Sequence, residues 1–131
     1  MPRRHILSST VLIADDSAFM REILRDICTD MNLVVAGEAS DGAEAVESYE
    51  KFMPDLVLLD LDMPNMDGTE ALQHIMAMDS EAKVVMISAL GQKVQVLTAI
   101  RCGAQDFLIK PFDQDCVTKT LTDTLVHVSS N

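Results

Sequence analysis

An open parallel α/β sheet covered by helices on both faces is the fold class this 131-residue sequence predicts, and two observations predict it. Short apolar runs alternate five times with segments whose apolar residues recur at helical spacing, and the runs themselves are nearly unbroken. A strand buried on both faces needs no polar side, and parallel neighbours need a crossover helix between them. The runs are Val11–Ala14, Leu33–Gly37, Leu56–Leu59, Val84–Ile87 and Phe107–Ile109. After the first, Met20, Ile23, Leu24, Ile27, Cys28 and Met31 fall on one face of a helix. Val46, Tyr49 and Met53 mark a second helix, and Leu72, Ile75 and Met76 a third. Val94, Leu97 and Ile100 mark a fourth, with Gly103 as its stop, and Val117, Leu121, Leu125 and Val128 a fifth. No repeat, low-complexity tract or linker interrupts the pattern, so one domain is expected over residues 10–128, between tails at 1–9 and 129–131.

Composition narrows the function classes. The net charge is −11, from 21 acids against 10 bases, which opposes binding to a phosphate backbone. Arg3 and Arg4 read as part of a solvated tail. No apolar run approaches the roughly 18 residues that cross a bilayer, and the first residues lack a secretory signal. The expectation is a cytoplasmic protein that binds neither nucleic acid nor membrane. Cys28, Cys102 and Cys116 are odd in number and have no C-x-x-C pairing, against a disulfide framework or zinc site. Cys28 lies on an apolar stripe and should be buried. His5, His74 and His127 belong to no cluster and read as surface residues.

In open parallel sheets, ligands gather outside the carboxyl ends of the strands. Asp15 and Asp16 follow the first run, Asp60 the third, Ser88 the fourth and Lys110 the fifth. Each has a plain reading alone: the acid pair as a helix cap, Asp60 as the start of a turn through Met63-Pro64-Asn65, Ser88 as a loop hydroxyl, Lys110 as a solvated lysine. Together they put three acids, a hydroxyl and a base on one sheet edge. Converging carboxylates repel, so one must hold a proton or the group must recruit a cation. The donors are hard oxygens with no His or Cys at hand, which favours Mg²⁺ or Mn²⁺. With Lys110 and Ser88 beside it, such a site suits phosphoryl transfer to the Asp60 carboxylate.

From about Val11 to Val128 the chain resembles the receiver domain of bacterial two-component response regulators, and the single-domain CheY-type proteins of chemotaxis in particular. The resemblance rests on VLIADDS, LVLLDLDMPNMDG, ISALG and DFLIKPF, in that order and spacing. It implies a flavodoxin-like (βα)5 fold with strand order 2-1-3-4-5. It implies that Asp16, Asp60 and the Asp62 carbonyl ligate Mg²⁺ while Asp15 orients a water on the cation. Asp60 would take phosphate from a histidine kinase, and Ser88, Ala89 and Lys110 would bind the phosphoryl oxygens. A cis bond would join Lys110 to Pro111. The switch aromatic of the family, commonly tyrosine, is Phe107 here, so ring burial alone would carry the switch. Asp62 adds negative charge at the mouth of the site and should slow anionic small donors.

The expected mechanism follows. Phosphorylation puts about two negative charges where one stood, Ser88 and Lys110 move towards them, the loop SALGQ shifts and Phe107 packs inward. A partner reads the change on the fourth helix, fifth strand and fifth helix, with Lys93, Val94, Gln95, Gln105, Phe112 and Gln114 as candidate readout residues. With no effector domain evident, output is expected in trans, to a flagellar-motor target or, in the alternative, through a non-motility relay or phosphate sink. The protein is expected to be a monomer or a weak phosphorylation-dependent dimer, and no enzyme beyond its own phosphotransfer and dephosphorylation. A haloacid-dehalogenase-type phosphatase fits poorly, because that family places its D-x-D on the first strand and its second acid pair last, whereas Asp15-Asp16 come first here. A calcium loop from Asp60 would put Ala71 where a bidentate Glu is needed. A pseudo-receiver would not need the complete acid–Ser–Lys set, and no glycine-rich cradle suggests a kinase.

Overall fold

The structure is a computed structural model and describes residues 8–126. Ten elements alternate: β1 (Thr10–Ala14), α1 (Ala18–Asp30), β2 (Val34–Ala39), α2 (Gly42–Phe52), β3 (Leu56–Asp60), α3 (Gly68–Met78), β4 (Val84–Ser88), α4 (Lys93–Arg101), β5 (Asp106–Ile109) and α5 (Gln114–Val126). The strands form one sheet in the order β2-β1-β3-β4-β5, every pair parallel. The predicted fold class is the observed one.

The apolar runs are two interleaved period-2 patterns. Leu12, Ala14, Val57, Leu59, Val84 and Met86 enter a core with α2, α3 and α4. Val11, Ile13, Leu56, Leu58, Val85 and Ile87 enter a second core with α1 and α5. Alternate side chains on a strand point to opposite faces, so both cores are filled by the same runs. Each fully buried Leu or Ile contributes about 1.5–3 kcal/mol relative to exposure, and the central strands are lined with them. Cys28 is buried in the second core as expected, and burial pushes its thiol up to about 12.

Three expectations change. β2 runs from Val34 to Ala39, displaced towards its C-terminal end, because pairing with β1 continues through Ile13–Glu38 and Ala14–Ala39 after a register shift at Val11/Leu12. Ser8 and Ser9, expected in the tail, are tied to Asn32 and Val34 by backbone hydrogen bonds. The stripe that marked α4 faces outward: Val94, Leu97 and Ile100 are exposed, while Val96 and Ala99 pack inward. Arg3, Arg4, His5, His127 and Val128 lie outside the described residues; His74 is exposed.

Candidate functional site

Side-by-side pairing of β1 and β3 builds the acidic cluster. Ala14 pairs with Leu59, so the residues that follow, Asp15 and Asp60, leave adjacent strands at the same edge. The Asp15 amide donates to Ala39 carbonyl at 3.0 Å, its Oδ1 accepts the Ser17 N–H at 2.9 Å, and its carbonyl accepts from Arg21 Nη1 at 2.7 Å. The helix cap is Ser17, whose hydroxyl accepts the Met20 N–H. The acid pair is therefore free of capping. One carboxylate oxygen from each of Asp15, Asp16 and Asp60 lies within 4.8 Å of the others, with Asp15 and Asp60 buried and Asp16 exposed.

Lys110 closes the cluster. β5 pairs with β4 through Ile109 and Ser88, the Lys110 amide donates to the Ser88 carbonyl at 2.8 Å, and the Lys110–Pro111 peptide is cis. Lys110 Nζ sits 3.2 Å from Asp15 Oδ2 and 3.7 Å from Asp60 Oδ1. One ammonium does not balance three acids. Burial, followed by the Asp15 charge, pushes the Asp60 carboxyl up to about 7, against the opposing pull of Lys110 and the Asp62 N–H. Among the described residues, Asp15 Oδ2, though ion-paired with Lys110, and Ser88 Oγ are buried without a hydrogen-bond partner. A buried carboxylate oxygen lacking a hydrogen bond, beside two further acids, fits a hard divalent cation. Asp15, Asp16 and Asp60 have the donor set to hold one.

The loop after Asp60 is pinned on both sides. The Gly68 amide donates to Leu61 carbonyl, and a Cβ on Gly68 would lie 2.1 Å from the Asp60 carbonyl oxygen. The Gly42 amide holds Met66 carbonyl, and Asn65 Nδ2 donates to Asp41 Oδ2 at 2.8 Å. The Asp62 carboxylate is exposed at the mouth and accepts from Gln92 Nε2 at 2.7 Å, while Gln92 Oε1 accepts the Ala89 N–H at 2.7 Å. Phe107 is half-buried against the α2–α4 core and lines a cavity of about 290 Å³ with Ser88, Leu90, Val96 and Ile109.

Asp15, Asp16, Asp60 and Lys110 thus come together, with Ser88 ending the strand beside Asp60. Of the six readout candidates, Lys93, Val94, Gln95 and Gln105 are exposed on α4 and before β5. Gln114 is also exposed, at the start of α5 where it reaches Asp30 of α1 at 3.4 Å, and Phe112 instead packs against the α1–α5 core. Sequence reasoning missed Arg21, Gly68 and Gln92. Gly68 had a local signal, in the Asp-Gly pair that opens α3; the other two act through contacts across the fold.

Residues 11–122 match the family described as response regulator receiver domain. The chain belongs to that family. The receiver is 47% identical to the chemotaxis protein CheY of Thermotoga maritima, over 88% of this chain and 96% of the relative. It is 50% identical to the chemotaxis protein CheY of Listeria monocytogenes, over 85% and 93%. Among solved structures it is similar to the CheX–CheY–BeF3–Mg²⁺ complex from Borrelia burgdorferi, with a TM-score of 0.86, 38% identity, and coverage of 92% of this chain and 90% of that one. Single-domain CheY proteins are thus homologues over most of the receiver. No helix among the described residues is long and apolar enough to cross a membrane.

Proposed function

We propose that this receiver is the phosphoacceptor of a two-component relay serving chemotaxis in the cytoplasm, switched by reversible phosphorylation of Asp60. The observation that carries the reading is a buried strand-terminal carboxylate, Asp60, flanked by two acids and one lysine. An Asp60 carboxylate oxygen bonds to phosphorus as the P–N bond to a kinase histidine breaks, and the electron pair of that bond returns to the imidazole. Mg²⁺, held by Asp16, Asp60 and the Asp62 carbonyl with Asp15 in support, would neutralise charge on the transferring group. Lys110 and the unpartnered Ser88 hydroxyl supply donors for the new oxygens, and the cavity beside Phe107 gives the ring room to move. The protein acts as a signalling switch, catalysing only its own phosphotransfer and dephosphorylation.

The exposed apolar stripe Val94, Leu97 and Ile100 on α4, continued by Leu90, favours output by protein docking over a phosphate sink. The CheX–CheY pairing in the Borrelia complex supports a protein partner for this receiver too, and a flagellar-motor component is the proposed target. The deciding test is intact mass after incubation with Mg²⁺ and acetyl phosphate. The wild type should gain one phosphoryl group, lost with EDTA and absent in Asp60→Asn. Labelling that persists in Asp60→Asn overturns the assignment, and sustained turnover of a phosphomonoester overturns the switch.

A further inference from the structure

We infer that Gln92 is a positioning residue that latches the β4–α4 loop in the resting state and competes with the phosphoryl group for one donor, the Ala89 N–H. The inference rests on the phosphoacceptor reading and extends it to a residue outside the four motifs.

Helix caps point to it first. Ser17, Asp41, Asp67 and Asp113 each accept a backbone N–H at the start of α1, α2, α3 and α5. Gln92 occupies the corresponding position of α4, and its side chain makes no capping hydrogen bond. Both polar ends of its amide are spent elsewhere. Oε1 accepts the Ala89 N–H at 2.7 Å, and Nε2 donates to Asp62 Oδ2 at 2.7 Å. The amide orientation is fixed by its partners, because a backbone N–H can face only the oxygen and a carboxylate prefers the nitrogen. Gln92 therefore ties the loop after β4 to the loop after β3, across the mouth of the acidic site.

The tie has a cost for phosphorylation. A phosphoryl group on Asp60 brings oxygens that need donors, and the Ala89 N–H follows Ser88 at the same sheet edge. In the resting chain that N–H is already occupied. Gln92 Oε1 must leave it before a phosphoryl oxygen can use it, and the Asp62 anchor resists that departure. Gly91, at φ +90 with open space around it, lies between the two ends of the latch and lets the loop turn. Hydrolysis of the acyl phosphate would let the amide return.

The test begins without metal or donor. Hydrogen exchange of the Ala89 amide should be roughly three- to tenfold faster in Gln92→Ala than in wild type, the factor for releasing one ordinary hydrogen bond. With Mg²⁺ and subsaturating acetyl phosphate, the initial labelling rate should rise by a similar factor, about three- to tenfold. The effect of Gln92→Ala should shrink in an Asp62→Ala background, since both residues would form one latch. Urea unfolding of each variant keeps a folding defect from being read as release. Unchanged Ala89 exchange overturns the latch. Faster exchange with unchanged labelling overturns the competition, and additive effects overturn the role of Asp62. A wild type that takes no label removes the phosphoacceptor reading and the competition with it, while Ala89 exchange still decides whether the latch exists.

Discussion

Replacing Asp60 with asparagine should stabilise the cation-free protein near pH 8. The cause is the crowding of acids at the ends of β1 and β3. In the folded chain, burial and then Asp15 raise the Asp60 carboxyl from the ordinary 3.8 to about 7. In the unfolded chain the same group ionises near its ordinary value. Between the two values the folded state holds a proton that the unfolded state has lost, so stability falls as pH rises through that window. The full rise corresponds to about 4 kcal/mol against the ionised fold, and reorganisation of polar groups reduces the expected effect to about 2–4 kcal/mol. Asparagine is nearly isosteric and carries no such penalty. Urea unfolding in EDTA at about pH 4, 6 and 8 reads the effect directly. The two proteins should coincide at the lowest pH, and the wild-type midpoint should lie lower by about 1–2 M at the highest. Saturating Mg²⁺ should then raise the wild type and close the gap. A wild type as stable as Asp60→Asn near pH 8, or a difference that ignores pH, would refute the reasoning.

Gly68→Ala should cost about 2–3 kcal/mol or more by urea unfolding and lower Asp60 labelling, because a Cβ would lie 2.1 Å from the Asp60 carbonyl oxygen. Leu97→Gln, on the outward face of α4, should change stability by less than about 0.5 kcal/mol, whereas Val96→Gln, one residue back and buried, should cost about 2–3 kcal/mol. Tyr49→Phe should lose about 1–2 kcal/mol, since the Tyr49 hydroxyl donates to Asp79 Oδ2 at 2.8 Å. Burial and Asp79 also hold that phenol above its usual range, so the single tyrosine should show no tyrosinate absorbance in alkali until the chain unfolds.

The sheet and its acidic edge were legible because both are written locally. Unbroken runs such as Leu56–Leu59 report burial on two faces, and the carboxylate that ends such a run must emerge at the sheet edge. Spacing reports that a helix has a face, and is silent on where that face points. On α4 the inward residues are Val96 and Ala99, only two in number, and the longer outward set Val94, Leu97 and Ile100 took the sequence signal. At β2, Glu38 and Ala39 carry little strand propensity, so only pairing with β1 extends the strand to them. Asp62 and Gln92 are separated by 30 positions, and neither residue type announces the other. Arg21 was equally silent, as an arginine whose partners, the Asp15 carbonyl and the Glu38 carboxylate, lie on other elements.

The order of the strands leaves β2 and β5 with one flank each open, and an open flank is a template on which another chain can grow a fibre. Here β5 offers only four residues, too short a row to propagate, and Glu38 on β2 is bracketed by Arg21 and Arg25. Both flanks are blunted with no covering segment among the described residues. Growth from either flank would thus meet a short row or a charged one, and the fold carries its own resistance to fibre formation.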